Sequence, residues 1–218
     1  MCEREVKEAS HHSYTAVRIT DMPKPVVRYT SDQMVYVESG DGSQWLGRFW
    51  SADGRVNLPS ELWEEDAFAL ELDGHVLMSG WECISAAETP GAKAGAKEVV
   101  VELRHTEQPV TVKVHTLLDG TPVLTRWLGI TNTSEKSAAL GTVAPWSGRL
   151  WPKGKFTLGY FTQDIWACEG WFEWRELGLG ITPVSSDKGQ GFDAPFFVVR
   201  NEVNGEYFIG HLAWSANW

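Results

Sequence analysis

Between Asp164 and Arg175 the chain reads DIWACEGWFEWR, which packs three carboxylates, three indoles and a guanidinium into twelve residues. An indole lays its broad apolar face against the C–H face of a sugar ring, and neighbouring carboxylates then read the ring's hydroxyls. If residues 165–167 are extended, Ile165 and Ala167 share one face, and Trp166 and Cys168 share the other. Asp164, Trp166, Trp171 and Trp174 are therefore the candidate substrate contacts. The same composition suits a strand edge packed against a second domain, and that interface reading is the weightier one.

Hydrolysis of a glycosidic bond needs two carboxylates about 5–10 Å apart, one as acid and one as base or nucleophile. Glu169 and Glu173 form such a pair on paper, but a chain with 29 acidic residues offers many. No catalytic residue is assigned. His11, His12, His75, His105, His115 and His211 are scattered, and only the first two are adjacent, so no metal site and no cofactor is expected. The glycines Gly159, Gly178, Gly180, Gly189 and Gly191 do not open a helix after a strand, and no Gly-X-Ser-X-Gly elbow occurs.

These residues have to be positioned by strands. Val99, Val101 and Leu103 alternate with Val100, Glu102 and Arg104, and Val110, Val112 and Val114 alternate with Thr111, Lys113 and His115. A period of two in β-branched residues predicts half-buried strands. Turn signals recur at Asp41-Gly42, Asp53-Gly54, Asp73-Gly74, Asp119-Gly120 and Asn204-Gly205. That rhythm predicts an all-β fold, a large antiparallel sandwich of two sheets forming a single domain over residues 1–218. Pro59 to Ala69, with Ser60 as N-cap, predicts one short helix. Ala86 to Ala96 reads as a surface loop joining two strands, and Asn204-Gly205 as a type I′ hairpin turn.

The net charge of −10 and the absence of any Lys/Arg run point away from nucleic acid and from anionic membranes. The amino terminus has no apolar core of a signal peptide, so a cytoplasmic location is expected. Three cysteines at wide spacing, Cys2, Cys83 and Cys168, read as inert buried thiols. Tryptophan is the outlier: there are twelve, seven of them from Trp146 onward. An all-β protein this rich in Trp is a candidate for carbohydrate recognition, although indoles also fill cores and interfaces.

The closing stretch is more specific. A polar turn from Ser185 to Asp193, then Ala194-Pro195-Phe196-Phe197, a hairpin, and Trp214-Ser215-Ala216-Asn217-Trp218 follow in order. This resembles the end of the N-terminal β-domain of glycoside hydrolase family 36, the family of microbial α-galactosidases and their relatives. Thr116 to Ser134, TLLDGTPVLTRWLGITNTS, resembles a family segment with an Asp-Gly turn, an Arg-aromatic pair and an Asn-Thr turn. The resemblance runs from Val99 to Trp218. Ala216 stands where many members have Gly, and a Tyr-Gly-X-Gly-Asp type tip loop is absent from Trp81 to Lys97.

The resemblance implies a supersandwich like that of galactose mutarotase. It also implies a catalytic (β/α)8 barrel following Trp218, with both catalytic aspartates on that barrel. The expected partners are then that barrel, a second copy of the parent in a homo-oligomer, and galactosides or related sugars. Two other readings stay open: a stand-alone carbohydrate-binding module, and an aldose epimerase of the mutarotase type.

Overall fold

The computed structural model describes residues 15–21, 24–54, 64–151, 153–162, 171–185 and 196–213, and among them every regular element is a strand. The chain divides into two compact units, Met1–Arg149 and Leu150–Trp218.

Three sheets build the first unit. Strands β1 (Thr15–Ile19), β2 (Val26–Ser31), β3 (Met34–Gly40), β4 (Trp45–Ser51) and β5 (Glu65–Asp66) pair in sequence order. Next come β6 (Ala69–Leu72) and β7 (His75–Val76), followed by the long strands β8 (Trp81–Pro90), β9 (Lys97–His105), β10 (Val110–Leu118) and β11 (Leu124–Asn132). The last four form a meander ordered β11-β10-β9-β8, and β12 (Leu140–Ala144) returns to β6 to give the sheet β12-β6-β7. The second unit holds one sheet, β14-β13-β15-β16, from β13 (Phe156–Thr162), β14 (Trp171–Glu176), β15 (Phe196–Asn201) and β16 (Tyr207–His211).

The all-β expectation holds, but the large two-sheet sandwich does not: the described residues form four small antiparallel sheets of five, four, three and four strands. Periodicity tells which side of a strand is buried and is silent on which strands share hydrogen bonds. The short β6–β7 hairpin takes β12 as its third strand across more than sixty intervening residues, a pairing no local pattern announces.

Several local expectations are corrected in the same way. Of the helix expected over Pro59 to Ala69, residues 59–63 lie outside the described residues, while Glu65–Asp66 is strand and Ala69 opens β6. The expected Ala86–Ala96 loop is shorter than read: residues 86–90 belong to β8, which pairs with β9 as far as Pro90 opposite Lys97, and residues 91–96 join the two strands. At Asp73-Gly74 both residues take positive φ, 51° and 78°, as a type I′ hairpin requires. At Asn204-Gly205 only the glycine does, at 75°, and the loop spans four residues between Asn201 and Glu206. Its shape is set from Asn201, whose Oδ1 accepts the Val203 N–H at 3.0 Å.

The core of the first unit is filled by the alternation seen in the sequence. Val99, Val101 and Leu103 of β9 and Val110, Val112 and Val114 of β10 are almost wholly buried, together with Val27, Tyr29, Met34, Tyr36 and Trp45 from the first sheet and Leu70 from β6. Full burial of each such aliphatic side chain contributes about 1.5–3 kcal/mol. Cys83 sits at the rim of this core, and burial pushes its thiol up to about 11, in keeping with an inert cysteine. Cys2 and Cys168 lie outside the described residues.

One charged cluster is sealed into that core. Arg126 of β11 faces inward and its Nη2 donates to Glu38 Oε1; the two side chains are 3% and 0% exposed. Tyr29 donates its hydroxyl to Glu38 Oε2 at 2.9 Å and Tyr36 donates to Oε1 at 3.1 Å, so both carboxylate oxygens are satisfied. Burial, and after it the Glu38 charge, holds both phenols above the ordinary value of 10.0, while Arg126 works in the other direction. A raised folded-state value means that stability is fully present below the unfolded value and is lost as pH climbs toward the folded one. In an alkaline titration followed by tyrosinate absorbance, Tyr29 and Tyr36 should therefore ionise only as the fold is lost. Ionisation of all five tyrosines in a still-folded protein would contradict this burial.

Candidate functional site

Of the four sequence-predicted contacts, Trp171 and Trp174 lie on the sheet of the second unit. Asp164 and Trp166 lie outside the described residues. Trp171 opens β14 opposite Thr162 of β13. Trp174 is three residues on, opposite Gly159, and exposed. Its ring lies under the Arg200 guanidinium, 4.8 Å from Cζ to centroid, and meets Phe172 edge-on at 5.3 Å. Gly159 makes this possible, because a β-carbon there would stand 2.6 Å from the Phe172 ring and 3.0 Å from Trp174.

The registers place Phe172 and Trp174 on the same face as Phe161, Val198, Tyr207 and Ile209. Phe172, Trp174, Tyr207 and Ile209 retain 39%, 45%, 54% and 62% of their surface. Arg200, Glu202 and Thr157 form a polar corner beside it: Thr157 Oγ1 donates to Glu202 Oε1 at 2.7 Å and Arg200 Nε at 2.8 Å. Those hydrogen bonds, Thr157 first, hold the Glu202 carboxyl below the usual range. This is a broad apolar face with one charged corner, which is the make-up of a docking surface more than of a sugar pocket.

A second aromatic surface was not anticipated from the sequence. Arg126 and Trp127 are neighbours on β11, so they project to opposite sides of the sheet: Arg126 enters the buried cluster, and Trp127 lies on the outer side. There the Trp127 indole stacks on the His115 imidazole of β10, with centroids 4.9 Å apart and planes within 10°. His115 Nδ1 is 2.8 Å from Glu98 Oε1 of β9. Because a carboxylate only accepts, Nδ1 carries the proton and the ring is held in place. The histidines looked scattered in the chain; what signals this group is a Trp two residues before Gly129 in a strand, a hint readable only once the strand partners are known.

His105 and His75 serve the structure. His105 Nδ1 accepts the backbone N–H groups of Glu107 and Gln108 at 3.1 and 2.9 Å, and its ring meets Trp81 edge-on. His75 Nδ1 bonds its own turn at the Asp73 carbonyl. Among the described residues no three His, Cys, Asp or Glu side chains gather as metal ligands, and no helix is long and apolar enough to cross a membrane.

A family model for the glycosyl hydrolase family 36 N-terminal domain matches residues 65–218. The chain belongs to that family. The match starts with β5 and takes in all later strands, so it reaches further upstream than the Val99 to Trp218 resemblance. Solved structures share the chain's fold. The α-galactosidase AgaB of Geobacillus stearothermophilus matches with a TM-score of 0.70 at 14% identity, covering 93% of this chain and 35% of its own. AgaA from the same organism matches with a TM-score of 0.66 at 13% identity, covering 88% and 34%. An AgaA variant in complex with 1-deoxygalactonojirimycin gives 0.67 at 13% identity, again over 88% and 34%. The family 36 domain described here thus spans about a third of the length of these enzymes. No curated protein sequence matches it.

Proposed function

We propose that this chain is the non-catalytic, single N-terminal β-domain of an α-galactosidase-like retaining hydrolase. In this reading a (β/α)8 barrel elsewhere in the parent protein performs the chemistry, and the β-domain buttresses that barrel and contributes contacts to a homo-oligomer. The family match over residues 65–218 carries the proposal. The apolar face of the second unit supports it, since Phe172, Trp174, Tyr207 and Ile209 together offer the exposed aromatic and aliphatic surface that a neighbouring domain would cover.

Assayed alone with p-nitrophenyl α-D-galactopyranoside, the chain should show no turnover, because one such domain does not provide two carboxylates and the pocket around them. Joined to its barrel, it should hydrolyse the same substrate with retention of anomeric configuration, read by proton NMR. Turnover by the chain alone that survives repurification and disappears in Glu173→Gln would overturn the non-catalytic reading. A barrel-containing protein inert toward α-galactosides would overturn the substrate class.

A further inference from the structure

On the outer face of the five-stranded sheet two arginines stand directly opposite each other. Val17 and Ile19 of β1 and Val27 and Tyr29 of β2 pack on the core, so the residues that alternate with them, Ala16, Arg18, Arg28 and Thr30, project to the other side. The register pairs Ala16 with Thr30 and Arg18 with Arg28. These four residues line one cleft of about 250 Å³. Ala16 and Thr30 are short, and they leave room beside the two long arginine side chains.

Like charges directly opposite on neighbouring strands destabilise the pair. The chain has acid enough to relieve this, with a net charge of −10, and Arg48, Arg104, Arg126, Arg149 and Arg200 each pair with a glutamate. Among the described residues no carboxylate pairs with Arg18 or Arg28. A charge on an edge strand deters sheet-to-sheet pairing, which accounts for Arg18 on β1. It does not account for Arg28, whose strand has a neighbour on each side.

An anion held between the two guanidinium groups turns their repulsion into attraction. Each planar fork can donate paired N–H groups to carboxylate or phosphate oxygens, and Thr30 brings a hydroxyl to the same cleft. A carboxylate balances only one of the two positive charges. A phosphomonoester near neutral pH carries a charge of about −1.5 to −2 with three accepting oxygens, and so balances both. The acidic remainder of the surface repels a long polyanion, which restricts the ligand to a small one.

We infer that the cleft between β1 and β2, walled by Arg18 and Arg28 with Thr30 beside them, binds a phosphate dianion, free or carried by a small molecule. The site rests on this geometry and is independent of the hydrolase reading.

Calorimetric titration of the chain with inorganic phosphate and with glycerol 3-phosphate tests this, at constant ionic strength and with acetate as the monoanion. The expected result is saturable phosphate binding that weakens about tenfold or more in Arg18→Gln and in Arg28→Gln, since each loses charge-assisted hydrogen bonds. Thr30→Val keeps a strand-forming side chain without the hydroxyl and should weaken binding severalfold. Without phosphate, Arg18→Gln should unfold at an unchanged or higher temperature because the repulsion is gone, an outcome that a purely structural arginine would not give. Glycerol 3-phosphate binding more tightly than inorganic phosphate supports a carried phosphate, and equal affinities support the free ion. The absence of saturable heat with both phosphates overturns the site, and so does unchanged affinity in a folded Arg18→Gln/Arg28→Gln protein. Acetate binding as tightly as phosphate overturns the dianion assignment. If Arg28→Gln abolishes self-association while phosphate gives no heat, the pair docks a protein carboxylate and the phosphate site is wrong.

Discussion

Replacing Arg126 by methionine should lower the unfolding free energy by about 3–5 kcal/mol, the usual cost of stripping one partner from a buried ion pair. Glu38 has no exposed surface and takes its charge balance from Arg126. With the guanidinium gone, the tyrosine hydroxyls of Tyr29 and Tyr36 still donate to it, but no cation remains against it. Since a domain's total stability is about 5–15 kcal/mol, urea unfolding should show a large fall in midpoint. The double variant Glu38→Gln/Arg126→Met should lose clearly less than the sum of the two single losses, because the uncharged amide still accepts from the phenols and leaves no buried charge. A loss below about 1 kcal/mol in Arg126→Met would mean that water reaches the cluster, as it does for ordinary surface pairs.

The second large effect is expected in assembly. Separated from a partner domain, the chain should self-associate through the apolar face of the second unit, because contiguous exposed apolar surface beyond a few hundred Å² is unusual on a monomer. Phe172 and Ile209, at 39% and 62% exposure, add area to that face without holding a core. Phe172→Thr/Ile209→Thr should therefore shift light scattering from oligomer to monomer while changing stability by only about 0.5 kcal/mol per site, as surface substitutions do. Trp174 is the poorer choice for this experiment, since it also carries the Arg200 contact. Adding the barrel to the wild-type chain should raise its unfolding temperature, because a partner that binds only the folded form stabilises it by linkage. Wild-type protein that is strictly monomeric at high concentration would remove the case for this docking face.

The two surfaces at issue were unequally visible before the structure. Trp174 stood out by composition, in a stretch crowded with indoles and carboxylates, and it does lie exposed on an aromatic sheet face. Trp127 had no such company in the chain: His115 is twelve residues away and Glu98 twenty-nine, and only the β9–β10–β11 register brings them side by side. Arg126 was noticed as half of an Arg-aromatic pair, yet its partner Glu38 is 88 residues upstream.

From the amino-acid sequence alone, the strand content, the buried faces of β9 and β10, the Asp73-Gly74 turn and the family resemblance could all be read. Each depends on side-chain alternation, on a turn residue's backbone freedom or on residues in order along the chain. Tertiary structure decided that the described strands divide into four small sheets, that β12 joins β6, that Glu38 and Arg126 share the core, and that Trp127 stacks on His115. Those outcomes rest on pairing between distant strands, and the backbone groups that make the pairing are the same at nearly every residue. What selects one pairing over another is how well whole faces pack together, and that exists only in the assembled fold.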